Sequence, residues 1–174
     1  MNTDIDFRDI VGTIEESKEF KDFLHEHPHY YLVHVFTTVD SETVENNLWQ
    51  IGYYSKDTDK IVVFEGNDGL VFIHPPAEAL KKDEYIQKLD LEKLKVSRDE
   101  AIKTCNSAIK EHYPKELFSK AICLLQNLPE HGQIWNITIV TLALSVINVK
   151  IDAITSKVLK HTKENLMNWK SEGI

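Results

Sequence analysis

One spacing occurs twice in this chain. Pro28 lies 21 residues before Trp49, and Pro114 lies 21 residues before Trp135, so one offset of 86 relates both pairs. At that offset Leu32 matches Phe118, Phe36 matches Ile122 and Leu48 matches Ile134. Ile51 likewise matches Ile137, Ile61 matches Ile147 and Val63 matches Val149. A repeat of this size governs every later assignment, because each copy is then a unit with its own element order. The 174 residues accommodate two such units or one large domain.

The order of elements is the same in both halves. Ile14, Phe20, Phe23 and Leu24 fall near one helical face with charges between them. In the second half, Ser97-Arg98-Asp99-Glu100 reads as a capping box, followed by Ala101, Ile102, Cys105, Ala108 and Ile109 at helical spacing. Pro28 and Pro114 end the two helices, since proline disfavours α geometry at the preceding residue. Strands follow at Tyr31–Val39 and Leu117–Leu125, both rich in β-branched and apolar residues. Leu48–Tyr54 and Ile134–Thr141 come next, each containing its tryptophan. The polar turn Lys56-Asp57-Thr58-Asp59 leads into Ile61–Glu65, and Asn67-Asp68-Gly69 is a hairpin signal before Leu70–Ile73. The counterparts are Val146–Asp152, a turn near Ile154-Thr155-Ser156, and Lys157–Leu159.

The expected fold is α+β: two helix-plus-antiparallel-meander units with the helices packed on one face of the sheet or sheets. Residues 10–73 form the first unit and 97–162 the second. Residues 74–96 connect them through His74-Pro75-Pro76, with Ala77–Leu94 expected to be partly helical, and 163–174 form a tail or short helix.

Within the second half, Val96-Ser97-Arg98-Asp99-Glu100-Ala101-Ile102, Tyr113-Pro114, Trp135 and Val149-Lys150-Ile151-Asp152-Ala153-Ile154-Thr155-Ser156-Lys157-Val158-Leu159 resemble a PepSY domain. That family shows a capped helix with Glu-Ala, a tryptophan-led strand and a closing hairpin. The resemblance spans about 65 residues and makes the first half a degenerate second copy. Ser156 stands where the family usually has glycine, which asks a serine to hold a tight turn at positive φ. PepSY domains are similar to the inhibitory propeptides of thermolysin-type metallopeptidases, so the resemblance implies a non-enzymatic binding or regulatory module with a protein or peptide partner.

Charge narrows the partners. Lys+Arg number 20 against 28 Asp+Glu, a net charge of −8, which repels phosphate backbones and argues against nucleic acid. Ile134–Ile151 is interrupted by Asn136, Thr138, Thr141, Ser145, Asn148 and Lys150, so no membrane span is expected there. The start, Met1-Asn2-Thr3-Asp4-Ile5-Asp6-Phe7, lacks the basic and apolar pattern of a secretory leader, and a cytoplasmic protein is expected.

Residues able to carry chemistry do not converge on a reaction. His25-Glu26-His27-Pro28-His29, with His34 nearby, is the densest set of metal-ligand types, but His25 and His27 point to different helical faces. They read as histidines placed favourably at a helix C-terminus, and no metal or cofactor is expected. Cys105 and Cys123 sit among apolar residues and read as inert core thiols. Asp40, Glu42, Asp57, Asp59, Glu65 and Asp68 fall in or near turns, where carboxylates serve local hydrogen bonding. Gly66-Asn67-Asp68-Gly69 joins two strands and not a strand to a helix, so it is no phosphate cradle. Lys81, Lys82 and Lys93–Lys95 are diluted by Asp83, Glu84, Asp90 and Glu92 and read as solvated surface.

Two features suggest an interaction surface. Leu142-Ala143-Leu144-Ser145 occupies the place of the polar turn 56–59, and an apolar hairpin tip marks a contact with another subunit or with the first unit. The alternative is one continuous buried strand through Ile137–Ile151. Trp49 and Trp135 read either as sheet anchors under the helices or as an aromatic surface for a partner. Leu142, Leu144, Trp49 and Trp135 are therefore the candidate interaction residues, with a homodimer as one arrangement. The competing class is a small ligand-binding protein or enzyme that uses the open sheet face as a pocket.

Overall fold

The computed structural model describes residues 6–40, 48–67, 69–81 and 84–167. Met1–Ile5, Glu42, Asp68, Lys82, Asp83 and 168–174 lie outside them.

The chain is α+β. Three helices, α1 (Phe7–Glu16), α2 (Lys18–Glu26) and α3 (Arg98–His112), accompany nine strands among the described residues. The strands are β1 (Tyr31–Asp40), β2 (Trp49–Ser55), β3 (Lys60–Asn67), β4 (Leu70–Ile73), β5 (Ala77–Glu78), β6 (Phe118–Leu128), β7 (Gly132–Thr141), β8 (Ser145–Asp152) and β9 (Val158–Asn165). All pair antiparallel in one sheet of order β4-β3-β2-β1-β6-β7-β8-β9, with β5 beside β3. The central ladder, β1 on β6, places Thr37 opposite Cys123 and Asp40 opposite Lys120.

Local chemistry accounts for the helix ends. Ser97 Oγ accepts from the Glu100 N–H at 3.2 Å while Glu100 Oε2 accepts from the Ser97 N–H at 2.9 Å, the reciprocal capping box expected from the sequence. The first helical stretch is not one helix. Ser17 is extended (φ −65°, ψ 151°), and its side chain caps Phe20 N–H at 3.2 Å, so it breaks the run into α1 and α2. The helical character expected within Ala77–Leu94 reduces to a 3-10 turn at Leu91–Lys93, with β5 at its start. That segment is a strap. Leu89 N–H donates to Leu32 O at 2.9 Å, Asp90 N–H to Gln133 Oε1 at 2.6 Å, and Val96 N–H to Ala153 O at 3.0 Å. Backbone groups satisfied one at a time across neighbouring strands leave nothing for an α-helix to bond.

Buried side chains of all three helices share one core with alternate strand residues. Phe7, Val11, Ile14, Phe20, Ala101 and Cys105 pack with Val35, Ile51, Phe64, Cys123, Ile137 and Val149. The opposite positions of the same strands, such as Phe36, Ile122 and Leu124, are only half-buried. A sheet of this kind has one dry face and one partly wetted face.

Candidate functional site

The apolar tip is a real hairpin end. β7 stops at Thr141 and β8 starts at Ser145, so Leu142, Ala143 and Leu144 form the turn and no continuous strand runs through. Leu144 N–H donates to Thr141 O at 3.1 Å, and Thr141 Oγ1 accepts from Ser145 N–H at 3.1 Å. These bonds hold Leu144 at φ 57°, a left-handed conformation that a bulky residue avoids and that costs on the order of 1–3 kcal/mol.

Neighbouring strand ends enlarge the tip. Leu142 N–H donates to Leu117 O at 2.9 Å, and Leu166 N–H donates to Leu144 O at 3.1 Å. Leu117, Leu142, Leu144 and Met167 are 64%, 66%, 52% and 67% exposed, so four large apolar side chains crowd one end of the sheet. Leu142 and Leu144 are thus not buried against the first half of the chain. Sequence reasoning does not find Leu117 and Met167, because only the pairing of β7 with β6 and of β8 with β9 brings them to the tip.

A polar cluster lies beside the tip. Lys163 pairs with Glu116, and Ser145 Oγ lies 3.5 Å from Glu116 Oε1. The Lys163 ammonium, with help from Thr141, holds the Glu116 carboxyl below its ordinary value. Tyr113 Oη is 2.8 Å from His161 Nδ1, and the His161 ring stacks on His112 at 4.2 Å. These groups hold the C-terminus of α3 against β9.

The tryptophans do not belong to a surface. Trp49 is 1% exposed and Trp135 is 0% exposed, because both point from the sheet into the dry core. Trp135 Nε1 donates to Val96 O at 2.9 Å and its ring meets Phe7 edge-on, while Arg98 lies 5.3 Å above the Trp49 ring. As an aromatic surface for a partner, these two residues are corrected to core anchors.

His25, His27 and His29 are all exposed around the end of α2. His27 packs on Phe23, and His29 Nδ1 is 3.9 Å from Asp57. Among the described residues no three His, Cys, Asp or Glu side chains are placed to hold a metal ion together. His34 lies apart on β1 with its ring over Gly52, and burial depresses it to about 4. Cys105 and Cys123 are buried free thiols, each pushed up by burial to about 12, where thiolate chemistry is suppressed. No helix among the described residues is long and apolar enough to cross a membrane.

A cleft of about 840 Å³ opens between α2 and the strap, lined by Phe20, Leu24, Tyr30, Leu32 and Tyr53, with Glu15 at its edge. Tyr53 Oη donates to Glu15 Oε1 at 2.9 Å. Burial, reinforced by the Glu15 charge, pushes the Tyr53 phenol far above its ordinary value. It is a hydrogen-bond donor and not an acid.

No family model matches the chain, and no curated protein matches it. Its fold is similar to that in the crystal structure of a candidate lipoprotein from Clostridium difficile 630, with a TM-score of 0.58. The match covers 94% of this chain and 96% of that one at 15% identity. Likeness at that identity speaks for the fold alone.

Proposed function

We propose that this protein is a non-enzymatic binding or regulatory module of two PepSY-like helix-plus-meander units, which presents its leucine-rich end to a protein or peptide partner. The observation that carries the reading is the exposed set Leu117, Leu142, Leu144 and Met167, with Leu144 held at positive φ. Strain kept at an exposed apolar turn is a cost without return unless the turn is used. The duplication is supported by the strand order, which runs outward from β1 through β4 on one side and from β6 through β9 on the other. It is supported again by Thr37, which pairs with Cys123, its own counterpart at the offset of 86. Registers drift away from that pair. Thr37 faces Trp49, whereas Trp135 faces Leu125, a shift of two residues that keeps every side chain on its face.

The test is a photo-crosslinkable residue at Ala143 in the full chain, expressed in its native cells. One discrete adduct, lost in a Leu142→Asp/Leu144→Asp background that keeps its far-UV circular dichroism, is the expected result. The same adduct in both backgrounds would overturn the reading.

A second reading, ligand binding, draws on the cleft beside α2, where Leu24 and Leu32 supply an apolar wall and Tyr53 and Glu15 a polar end. A small amphiphile bound there would be lost in Leu32→Arg and unaffected by changes at the tip.

A further inference from the structure

The two edges of the sheet are built differently. β9 carries Lys160, His161, Lys163 and Glu164, the charged guard that keeps a solvent-facing edge from pairing with another chain. β4 carries none. Its four residues are Leu70, Val71, Phe72 and Ile73, and Leu70, Phe72 and Ile73 are 63%, 56% and 44% exposed.

The backbone of β4 is also poised to pair. His74 N–H donates to Val63 O at 2.9 Å, so by antiparallel alternation Phe72 and Leu70 also aim their backbone groups at β3. Val71 and Ile73 then aim N–H and C=O away from the sheet. No described strand lies beyond β4.

We propose that β4 is a dimerisation edge occupied by β4 of a second copy of this chain, antiparallel about a twofold axis at Phe72. In that register the outward groups of Val71 and Ile73 exchange four hydrogen bonds with Ile73 and Val71 of the copy. Phe72 meets its own equivalent at a non-hydrogen-bonded position, where side chains approach most closely. A second copy fits better than an unrelated strand because residues 71–73 are self-complementary: Val71 meets Ile73 and Phe72 meets Phe72 whichever copy is read. Pro75 and Pro76 end the pairable stretch, and the charged β9 refuses β4, so the contact closes as a pair and does not propagate into a filament. The contact is small, so the dimer is weak and concentration-dependent. It is independent of the leucine-rich end.

Sedimentation equilibrium of the full chain, up to several hundred micromolar, reads the outcome. The expected result is a reversible monomer–dimer equilibrium. Val71→Pro, which removes an outward N–H and leaves the β3–β4 bonds intact, weakens it about tenfold or more. Leu142→Asp/Leu144→Asp leaves it unchanged. Phe72→Cys supplies a second measure, since Cα atoms across such a pair lie about 4.5 Å apart, within disulfide range. Under mild oxidation Phe72→Cys links into dimers and Leu70→Cys, equally exposed but facing His74 of the copy, does not. A chain that stays monomeric throughout, or cysteines at 70 and 72 that link at equal rates, would overturn the proposal.

Discussion

Thr37 on β1 lies directly across the central ladder from Cys123 on β6, 86 residues further along the chain. The proposed duplication would make this central pair a residue and its counterpart, related by an approximate twofold axis normal to the sheet. The environments of the two tryptophans break that symmetry. Trp135 is met by Phe7 and bonds the strap at Val96, whereas Trp49 is met by Arg98 and its indole N–H has no partner among the described residues.

That difference predicts unequal costs for the same substitution. Trp135→Phe strips a buried carbonyl of its donor and should destabilise by about 1–3 kcal/mol beyond the loss of ring volume. Trp49→Phe removes a donor that is already unpaired and should cost less. Urea midpoints of the two variants decide it, and a larger loss at Trp49 contradicts the assignment.

Gly52 is required by a neighbour. A Cβ there would stand 2.1 Å from His34 Cε1, well inside contact distance. Gly52→Ala should destabilise by about 1–3 kcal/mol through overpacking, and His34→Ala in the same chain should restore most of the loss. Thermal unfolding of the single and double variants measures the coupling.

Ser156 holds the turn before β9 at φ 63°, and its Oγ lies 2.8 Å from Thr104 Oγ1 on α3. The hydroxyl contact offsets the strain. Ser156→Ala should cost about 1 kcal/mol because it keeps the strain and loses the bond, whereas Ser156→Gly should lie within about 0.5 kcal/mol of the parent. Denaturant titration orders the three chains.

Asp152 makes the same turn sensitive to acid. Burial raises its carboxyl, but N–H donations from Thr155 and Ile154, both at 2.8 Å to Oδ1, outweigh burial and hold it below the ordinary value. A carboxyl depressed in the folded state stabilises above its unfolded pKa, and that contribution disappears as pH falls through the folded pKa. Asp152→Ala should therefore cost about 1–2 kcal/mol at neutral pH, and the gap should narrow below about pH 4. Stability measured at both pH values tests the linkage; a gap constant with pH counts against it.

Legibility followed the range of the interaction. α3, with Ser97 and Glu100 three residues apart, and the strands from Trp49 to Ile73 are written in neighbouring residues, and the sequence reading placed them within a few positions. Ser17 was missed because the apolar period runs through it from Ile14 to Phe20, so the cap is visible only in its ψ of 151°. Ala77–Leu94, expected to be partly helical, is helical only at the 3-10 turn Leu91–Lys93, because the backbone N–H groups of Leu89, Asp90 and, just beyond it, Val96 bond to Leu32, Gln133 and Ala153. Burial of the tryptophans was one of two readings, and choosing needed to know which face of the sheet is dry. The leucine pair at 142 and 144 stood out by polarity alone; Leu117 and Met167 joined it only through strand pairing.

The strap has a consequence for how the chain can be taken apart. Residues 84 and 85 are exposed within it, before Leu89 enters the core. A cut there leaves one fragment ending after β5 and another beginning before α3, each with its own meander. Nothing covalent would then join them, and the β1–β6 ladder with its shared core would have to rebuild the whole. Such a severed chain is a natural complementation pair, whose halves would report their reunion by burying Trp135 against Phe7.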